Sequence, residues 1–163
     1  MARKVFYSFH YNPDNWRVST IRQIGSIEGN KKATDNEWEE VTNGGDGAIR
    51  NWINNQLVGR SCALILIGKN TAGRKWINYE IRKAWEDGRG VVGIHIHNLK
   101  NSKGEQASKG KNPFEGITIN GTKLLDVVKV YDPPYVVSTN VYNHISNNIV
   151  DWIEEAVEIR RRY

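Results

Sequence analysis

Apolar residues recur along the chain in two different patterns. Short, nearly continuous apolar runs predict strands at 5–9, 63–67, 91–96 and 127–131. Longer stretches with apolar residues three or four positions apart predict helices at 16–27, 48–57, 75–87 and from about 145 to 157. Strands that alternate with helices favour an α/β fold, in which a mostly parallel central sheet carries helices on both faces. The expected strand order is flavodoxin-like.

The connecting segments are predicted from their turn residues. The run Asn12-Pro13-Asp14-Asn15 indicates a turn and a helix cap, and Asn120-Gly121 indicates a tight hairpin within 117–124. The stretch 28–47 is polar and has no sustained period, so no second strand is assigned there. Its end, 44–47, is either a phosphate-binding nest or a flexible loop entering the next helix, and the loop is favoured. We expect one domain over 1–163, with 98–125 as a loop and hairpin insertion.

Composition narrows the class of protein. Of the 163 residues, 39% are hydrophobic and 25% are charged, a balance typical of a globular domain. No apolar run approaches the ~20 residues that cross a bilayer, and the first residues enter a strand pattern without a signal-peptide core. The single cysteine, Cys62, is predicted to be a buried strand residue and suits a reducing compartment. We therefore expect a cytoplasmic protein with no membrane partner.

The formal net charge of +5 indicates a mild attraction for anionic ligands. The basic residues are scattered, apart from a run at 160–162 and a polar stretch at 100–111. The first run ends a predicted helix, where cations complement the helix dipole, and the second is typical of an exposed loop. Neither is interleaved with aromatic residues, so no nucleic-acid partner is expected.

The expected ligand site lies beyond the carboxyl ends of the first and third strands, where the strand order reverses. Phe9, His10 and Tyr11 leave the first strand. Glu80 lies in the early turns of the helix that follows the 63–67 strand, and Trp76 is on the same helical face, four residues earlier. An aromatic rim and a carboxylate are therefore predicted to converge on one crevice.

Other nucleotide, phosphoacceptor and metal sites are not expected, because the chain lacks residues that each of them needs. The first strand is not followed by the glycine fingerprint of dinucleotide-binding folds, and Gly68-Lys69-Asn70 lacks the remaining residues of a P-loop. A phosphoacceptor domain would need acidic residues where this chain has aromatic, His and Lys residues. His95 and His97 share one strand face, but two imidazoles alone make a poor metal site. We expect a polar strand end facing the crevice there, and no metal.

For Glu80, spacing alone leaves two interpretations open. A helical glutamate three residues before Lys83 is normally solvated and forms a weak ion pair. The nearby indole of Trp76 instead suggests a partly walled carboxylate. On spacing alone the solvated interpretation is favoured, since catalytic carboxylates are a small minority.

A resemblance to a known family changes this balance. The segments that carry it are 5–11, 64–68, 74–81, 91–97 and 109–114. They include Val5-Phe6-Tyr7-Ser8-Phe9-His10-Tyr11 and Arg74-Lys75-Trp76-Ile77-Asn78-Tyr79-Glu80-Ile81. In order and spacing they resemble the TIR-like proteins of bacterial Thoeris anti-phage systems. The spacing from Trp76 to Glu80 also resembles the signature of catalytic TIR domains.

The resemblance implies a TIR-like domain that cleaves NAD, with Glu80 as the catalytic residue and nicotinamide as the leaving group. NAD is then the substrate, with no further cofactor, and the product is a second messenger of cyclic ADP-ribose type. Phe9, His10, Tyr11 and Trp76 are candidates for binding the substrate. The implied partners are an effector protein activated by the product and a phage-derived trigger, with assembly into a homo-oligomer on activation. The polar stretch 28–47 departs from a typical TIR domain.

Two alternatives remain at this point. One is a TIR-like scaffold without catalytic activity, which recognises partners by homotypic packing. The other is a flavodoxin-like carrier of a nucleotide or flavin.

Overall fold

A computed structural model of the chain describes residues 3–31 and 35–163, with the backbone alone at 35–38. In chain order the elements are β1 (Arg3–Ser8), α1 (Tyr11–Ile21), β2 (Ile27–Gly29), α2 (Asp35–Asn43), α3 (Gly45–Leu57), β3 (Cys62–Ile67), α4 (Lys75–Glu86), β4 (Gly90–His95), β5 (Thr118–Ile119), β6 (Thr122–Lys123), α5 (Leu124–Val127), β7 (Val130–Tyr131) and α6 (Ser138–Arg161).

The central sheet has five parallel strands in the order β2-β1-β3-β4-β7. The pairing of β1 with β3 brings Phe6 opposite Ala63, and the pairing of β3 with β4 brings Ile65 opposite Gly93. The strand order reverses between β1 and β3, as in flavodoxin-like folds. The predicted α/β fold is therefore confirmed, and the edge at which such folds commonly bind ligands lies at the carboxyl ends of these two strands.

Two apolar clusters cover the two faces of the sheet. All residues of β3 and β4 are buried, as expected for parallel strands with helices on both sides. The first cluster contains residues from α1 and α6, and the second contains residues from α3, α4 and the hairpin. Cys62 is fully buried in β3, as predicted.

The first helix differs from its predicted bounds of 16–27. It begins at Tyr11 and ends at Ile21, so the predicted turn forms the first turn of the helix. Pro13 is tolerated there because the first backbone N–H groups of a helix have no partner within it. The Asp14 N–H makes the first helical bond, to the His10 carbonyl at 3.2 Å. Ile27, predicted to be helical, pairs with Arg3 at the start of β2.

The polar stretch 28–47 contains structure that its periodicity does not predict. The second strand, β2, lies at its start and is only three residues long. Gly45 to Gly47 form the first turn of α3, so the expected flexible loop before that helix is wrong. Gly45 has a φ of 83°, which favours glycine at the junction between α2 and α3. The part of this stretch at 32–34 lies outside the described residues.

The structure of the last part of the chain agrees in part with the elements predicted for it. The predicted hairpin is confirmed, with positive φ at both Asn120 and Gly121 as a type I′ turn requires. The strand predicted at 127–131 is shorter, because Leu124–Val127 forms one helical turn and β7 covers only Val130–Tyr131. In the part of the chain that the structure describes, no helix is both long and apolar enough to span a membrane.

Candidate functional site

A cavity of about 350 Å³ opens at the carboxyl end of β1, beside the amino end of α4. Its position matches the crevice predicted where the strand order reverses. The structure brings all five sequence-predicted site residues to its walls: Phe9, His10, Tyr11, Trp76 and Glu80. Its volume lies at the lower end of the range for small-molecule sites.

Glu80 lies on the inner face of α4 and is only 8% exposed. Lys83 does not pair with it, because the Lys83 ammonium lies 3.3 Å from the Asp87 carboxylate. The interpretation of Glu80 as a solvated residue in an ion pair with Lys83 is therefore wrong. Glu80 is a buried carboxyl group at the wall of a cavity.

Burial raises the pKa of Glu80 well above its ordinary value, and the neighbouring Ser8 hydroxyl acts in the opposite direction to a smaller extent. This shift extends the pH range over which the neutral acid is favoured over the carboxylate. A cation bound beside Glu80 would reverse this preference, because an opposite charge stabilises the ionised form. The site is thus suited to a positively charged ligand group.

Aromatic rings form much of the wall around this acid. Trp76 is half-buried one turn before Glu80, and its ring packs edge-to-face on Tyr79 with centroids 5.7 Å apart. The ring centroids of Phe9 and Tyr11 lie 6.1 Å apart, just after the end of β1. Trp52 of α3 completes the aromatic wall and was not predicted from the sequence. Such rings exclude water and attract cations to their faces.

His10 stands at the N-cap of α1 and lines the same cavity. Burial lowers its pKa, and the nearby Arg74 guanidinium lowers it further. The imidazole is therefore neutral at physiological pH. A neutral ring can turn toward a nucleotide without adding charge to the site.

Arg22 is a cavity residue that the sequence pattern did not reveal. Its guanidinium lies over the Tyr7 ring at 4.7 Å from the centroid, and it donates a hydrogen bond to the Asn30 carbonyl. The Asn30 side chain in turn accepts a hydrogen bond from the Tyr7 backbone N–H at 2.8 Å. Arg22 follows the end of α1, and no motif surrounds it, so only the net positive charge of the chain hinted at such a residue.

Among the described residues, four cationic side chains line the cavity: Arg22, Lys31, Arg74 and Lys75. Lys75 pairs with Asp46 and lies 5.0 Å from the centroid of the Trp76 ring. Glu80 is the carboxylic acid among the lining residues that the structure describes. The described walls therefore combine an acid, aromatic rings and several cations, a composition suited to a ligand with both a cationic ring and anionic groups.

His95 and His97 do not line this cavity, and the expectation that they face the crevice is wrong. Both are buried at the end of β4, with ring centroids 5.7 Å apart. The segment after β4 folds back beside His97, whose carbonyl accepts a hydrogen bond from the Ala107 N–H at 2.8 Å. Burial lowers the pKa of His95 to about 4. Within the described residues, no cluster of three or more potential ligands could hold a metal ion.

Comparison with known proteins adds an independent observation. The family model of the TIR-like domain of the Thoeris protein ThsB matches residues 6–101. A protein of Bacillus cereus (strain MSX-D12), provisionally named cyclic ADP-D-ribose synthase ThsB1, is 38% identical over 120 residues. That match covers 71% of this chain and 62% of the relative, so the chain spans less than two thirds of the relative's length. All five predicted site residues fall within the segment that the family model matches.

Proposed function

The chain belongs to the family of Thoeris ThsB proteins with a TIR-like domain, and on this basis we propose that it cleaves NAD and forms a cyclic ADP-ribose-type product. The observation that supports this best is Glu80, a buried carboxyl group in an aromatic cavity that also carries cations. The provisional name of the Bacillus cereus relative describes the same class of reaction for that protein.

In this reaction the bond between C1′ of the ribose and N1 of the pyridinium ring breaks. Its electron pair passes to the ring, so nicotinamide leaves as a neutral molecule and needs no proton. The ribose acquires oxocarbenium character, with positive charge near C1′. Glu80, as a carboxylate, stabilises that charge and holds the ribose hydroxyls. One carboxylate suffices because the leaving group is already cationic, unlike the neutral leaving groups of ordinary glycosides.

The aromatic wall would bind the pyridinium ring, which is the leaving group of this reaction. Trp76, Phe9 and Tyr11 offer ring faces to the pyridinium cation, which is attracted to them while it is charged. This attraction weakens when the ring becomes neutral, which favours release of nicotinamide. The same rings limit the access of water to C1′.

The cations of the cavity would bind the pyrophosphate of NAD. Arg22 is held in place by Tyr7 and Asn30, so little flexibility is lost when it meets a phosphate. Arg74 and Lys75 lie at the amino end of α4, on the same helix as Glu80. With the phosphates fixed, the adenine can fold back toward C1′. Attack by an adenine nitrogen then closes the cyclic product, whereas attack by water and loss of its proton gives ADP-ribose.

The resemblance to Thoeris systems extends this proposal to the cell. The product would serve as a second messenger for an effector protein, after a phage-derived trigger has activated the enzyme. Activation would involve assembly into a homo-oligomer, and the reaction would take place in the cytoplasm.

Product analysis tests the proposal. The protein is incubated with NAD, alone and with an extract of phage-infected cells that supplies the trigger, and the products are separated by chromatography and identified by mass spectrometry. We expect nicotinamide together with a compound one water lighter than ADP-ribose, and neither with Glu80→Gln. Glu86→Gln is the matched control, because Glu86 is exposed at the end of the same helix. Equal products from wild type and Glu80→Gln would remove Glu80 from the mechanism, whereas no products from wild type, even with the trigger present, would favour the non-catalytic scaffold.

A further inference from the structure

The Trp76 indole, which forms part of the cavity wall, is contacted by two side chains of its own helix. The Lys75 ammonium lies 5.0 Å from the centroid of the indole ring, and the Tyr79 ring packs edge-to-face on it with centroids 5.7 Å apart. A tryptophan side chain has several allowed rotamers, so its ring forms a defined wall only where neighbours restrict it. The contacts of Trp76 therefore bear directly on the shape of the site.

Tyr79 joins this indole to a second helix. Its hydroxyl donates a hydrogen bond of 2.7 Å to Asn54 Oδ1 on α3, and both residues are partly buried. Tyr79 follows Trp76 by three residues, a spacing at which side chains of one helix meet. Within the part of the chain that the structure describes, Trp76 lines the cavity and Tyr79 does not. Tyr79 therefore connects the wall to α3 without being part of the wall itself.

Lys75 is less suited to hold the indole in place. It also pairs with a residue of α3, Asp46, but the side chains of this pair are 64% and 53% exposed. Exposed ion pairs contribute little, because water screens them and long side chains lose entropy in forming them. The Tyr79 ring is instead restrained at two points, by the indole and by the Asn54 amide, on the partly buried contact between α3 and α4.

We propose that Tyr79 is a positioning residue which, held by Asn54, fixes the Trp76 indole as the wall that binds the pyridinium ring and keeps water from C1′. The inference rests on the proposed function, because both roles of the wall belong to the cleavage of NAD. An indole that is already ordered loses less entropy when the substrate binds. Less water at C1′ also favours attack by the adenine nitrogen, which gives the cyclic product, over attack by water, which gives ADP-ribose.

The first test uses the protein without substrate. Its tryptophans are replaced by 5-fluorotryptophan, and the fluorine signal of Trp76 is assigned with Trp76→Phe. Tyr79→Phe keeps the ring but lacks the hydroxyl, and Asn54→Ala removes the acceptor. Each variant should shift or broaden the Trp76 signal, and the double variant should add little, because both changes remove the same hydrogen bond. A Trp76 signal identical to that of wild type in both single variants would overturn the role of Tyr79.

Tyr131→Phe is the matched control. Tyr131 also packs on a tryptophan, Trp152, with ring centroids 4.3 Å apart, and its hydroxyl donates to Glu155 at 2.8 Å. It packs against the apolar cluster on the other face of the sheet. Tyr131→Phe should leave the Trp76 signal unchanged. A change as large as that in Tyr79→Phe would show a general effect of removing a tyrosine hydroxyl and would contradict the proposal.

The second test measures kinetics and products under conditions in which wild type releases nicotinamide. Tyr79→Phe should raise KM for NAD by about threefold to tenfold, the range for loss of a neutral hydrogen bond. The value of kcat should change less than KM, and the ratio of cyclic product to ADP-ribose should fall. Tyr131→Phe should alter none of these quantities. A wild-type KM and product ratio in Tyr79→Phe would overturn the proposal.

The two tests separate this inference from the proposed function. If wild type releases no nicotinamide, even with the trigger present, the proposed function fails. The fluorine spectra still decide in that case whether Tyr79 and Asn54 hold the Trp76 indole in place.

Discussion

The Arg22 guanidinium lies over the Tyr7 ring, 4.7 Å from its centroid, and 6.0 Å from the centroid of the Phe9 ring. This contact joins the end of α1 to the exit of β1 and leaves a fixed positive charge at the cavity. Burial lowers the pKa of Arg22, but a guanidinium remains charged at any physiological pH. Under the proposed function this fixed cation would bind the pyrophosphate of NAD, while the neighbouring rings would bind its cationic ring.

Replacing this cation should weaken substrate binding more than catalysis. For Arg22→Ala we expect KM for NAD to rise by about tenfold to a hundredfold, the loss typical of a hydrogen bond to a charged group. The value of kcat should change much less, because the phosphates lie away from the breaking bond. Steady-state kinetics measure both constants. Arg82→Ala, on the exposed side of α4, is the control, and an equal rise in its KM would remove the phosphate role from Arg22.

Stability should depend on pH through Glu80. Burial raises the pKa of Glu80 in the folded protein, whereas the unfolded chain has the ordinary value. Above that ordinary value the unfolded chain has lost a proton that the folded protein retains, so the free energy of unfolding falls as pH rises. Glutamine has no such proton. The free energy of unfolding of Glu80→Gln minus that of wild type should therefore be larger at pH 7 than at pH 4. Urea unfolding at both pH values measures this difference.

The opposite trend, or the same difference at both pH values, would show that Glu80 is not a buried acid. Glu86→Gln serves again as the exposed control, and its effect should not depend on pH in this way.

Gly29 should tolerate no side chain, because the Tyr7 ring lies directly against it. A Cβ on Gly29 would stand 1.8 Å from Tyr7 Cε2, which forces the ring and Arg22 to move. We expect Gly29→Ala to destabilise the fold by about 1–3 kcal/mol, as overpacking usually does. Gly25→Ala provides the comparison, since a Cβ there would meet nothing within 4 Å. Urea unfolding measures both variants, and equal stability of the two would contradict the packing described.

The buried ion pair between Asp14 and Arg17 should be important for folding. Arg17 Nη1 lies 3.0 Å from Asp14 Oδ1, and the side chains of Asp14 and Arg17 are 3% and 4% exposed. Arg17 also donates to the carbonyls of Leu99 and Glu105, so it ties α1 to the segment after β4. Arg17→Met leaves a buried carboxylate without its partner and should cost about 3–5 kcal/mol.

The exposed pair of Arg161 with Glu158 is the natural comparison for that variant. Arg161→Met should cost less than about 1 kcal/mol, as is usual for surface ion pairs. Chemical denaturation separates the two outcomes, and equal costs would show that the buried pair contributes no more than the exposed one.

The central strands and the position of the site could be predicted because both depend on strong local patterns. The runs at 63–67 and 91–96 are apolar since both faces are covered, and the carboxyl ends of parallel strands meet at one edge. Together with the place of Trp76 and Glu80 on the helix after the 63–67 strand, this relationship predicted that they lie near Phe9, His10 and Tyr11. The burial of Glu80 could not be predicted from spacing, since it depends on the contacts of α4.

The elements that were missed are short or depend on distant contacts. The β2 strand has three residues, too few for a period, and it exists because Ile27 pairs with Arg3. The early start of α1 was not predicted, because the residues at 12–15 are typical of a turn and also suit a first helical turn. Arg22 joins the site only through the fold, because the Tyr7 ring and the Asn30 carbonyl hold it there.

Nicotinamide release from NAD, measured beside NAD binding in the same protein samples, tests the central role of Glu80 most directly. We predict that Glu80→Gln binds NAD about as well as wild type and releases nicotinamide at least about a hundredfold more slowly, as for loss of a group that stabilises transition-state charge. Release by Glu80→Gln at the wild-type rate would contradict the account.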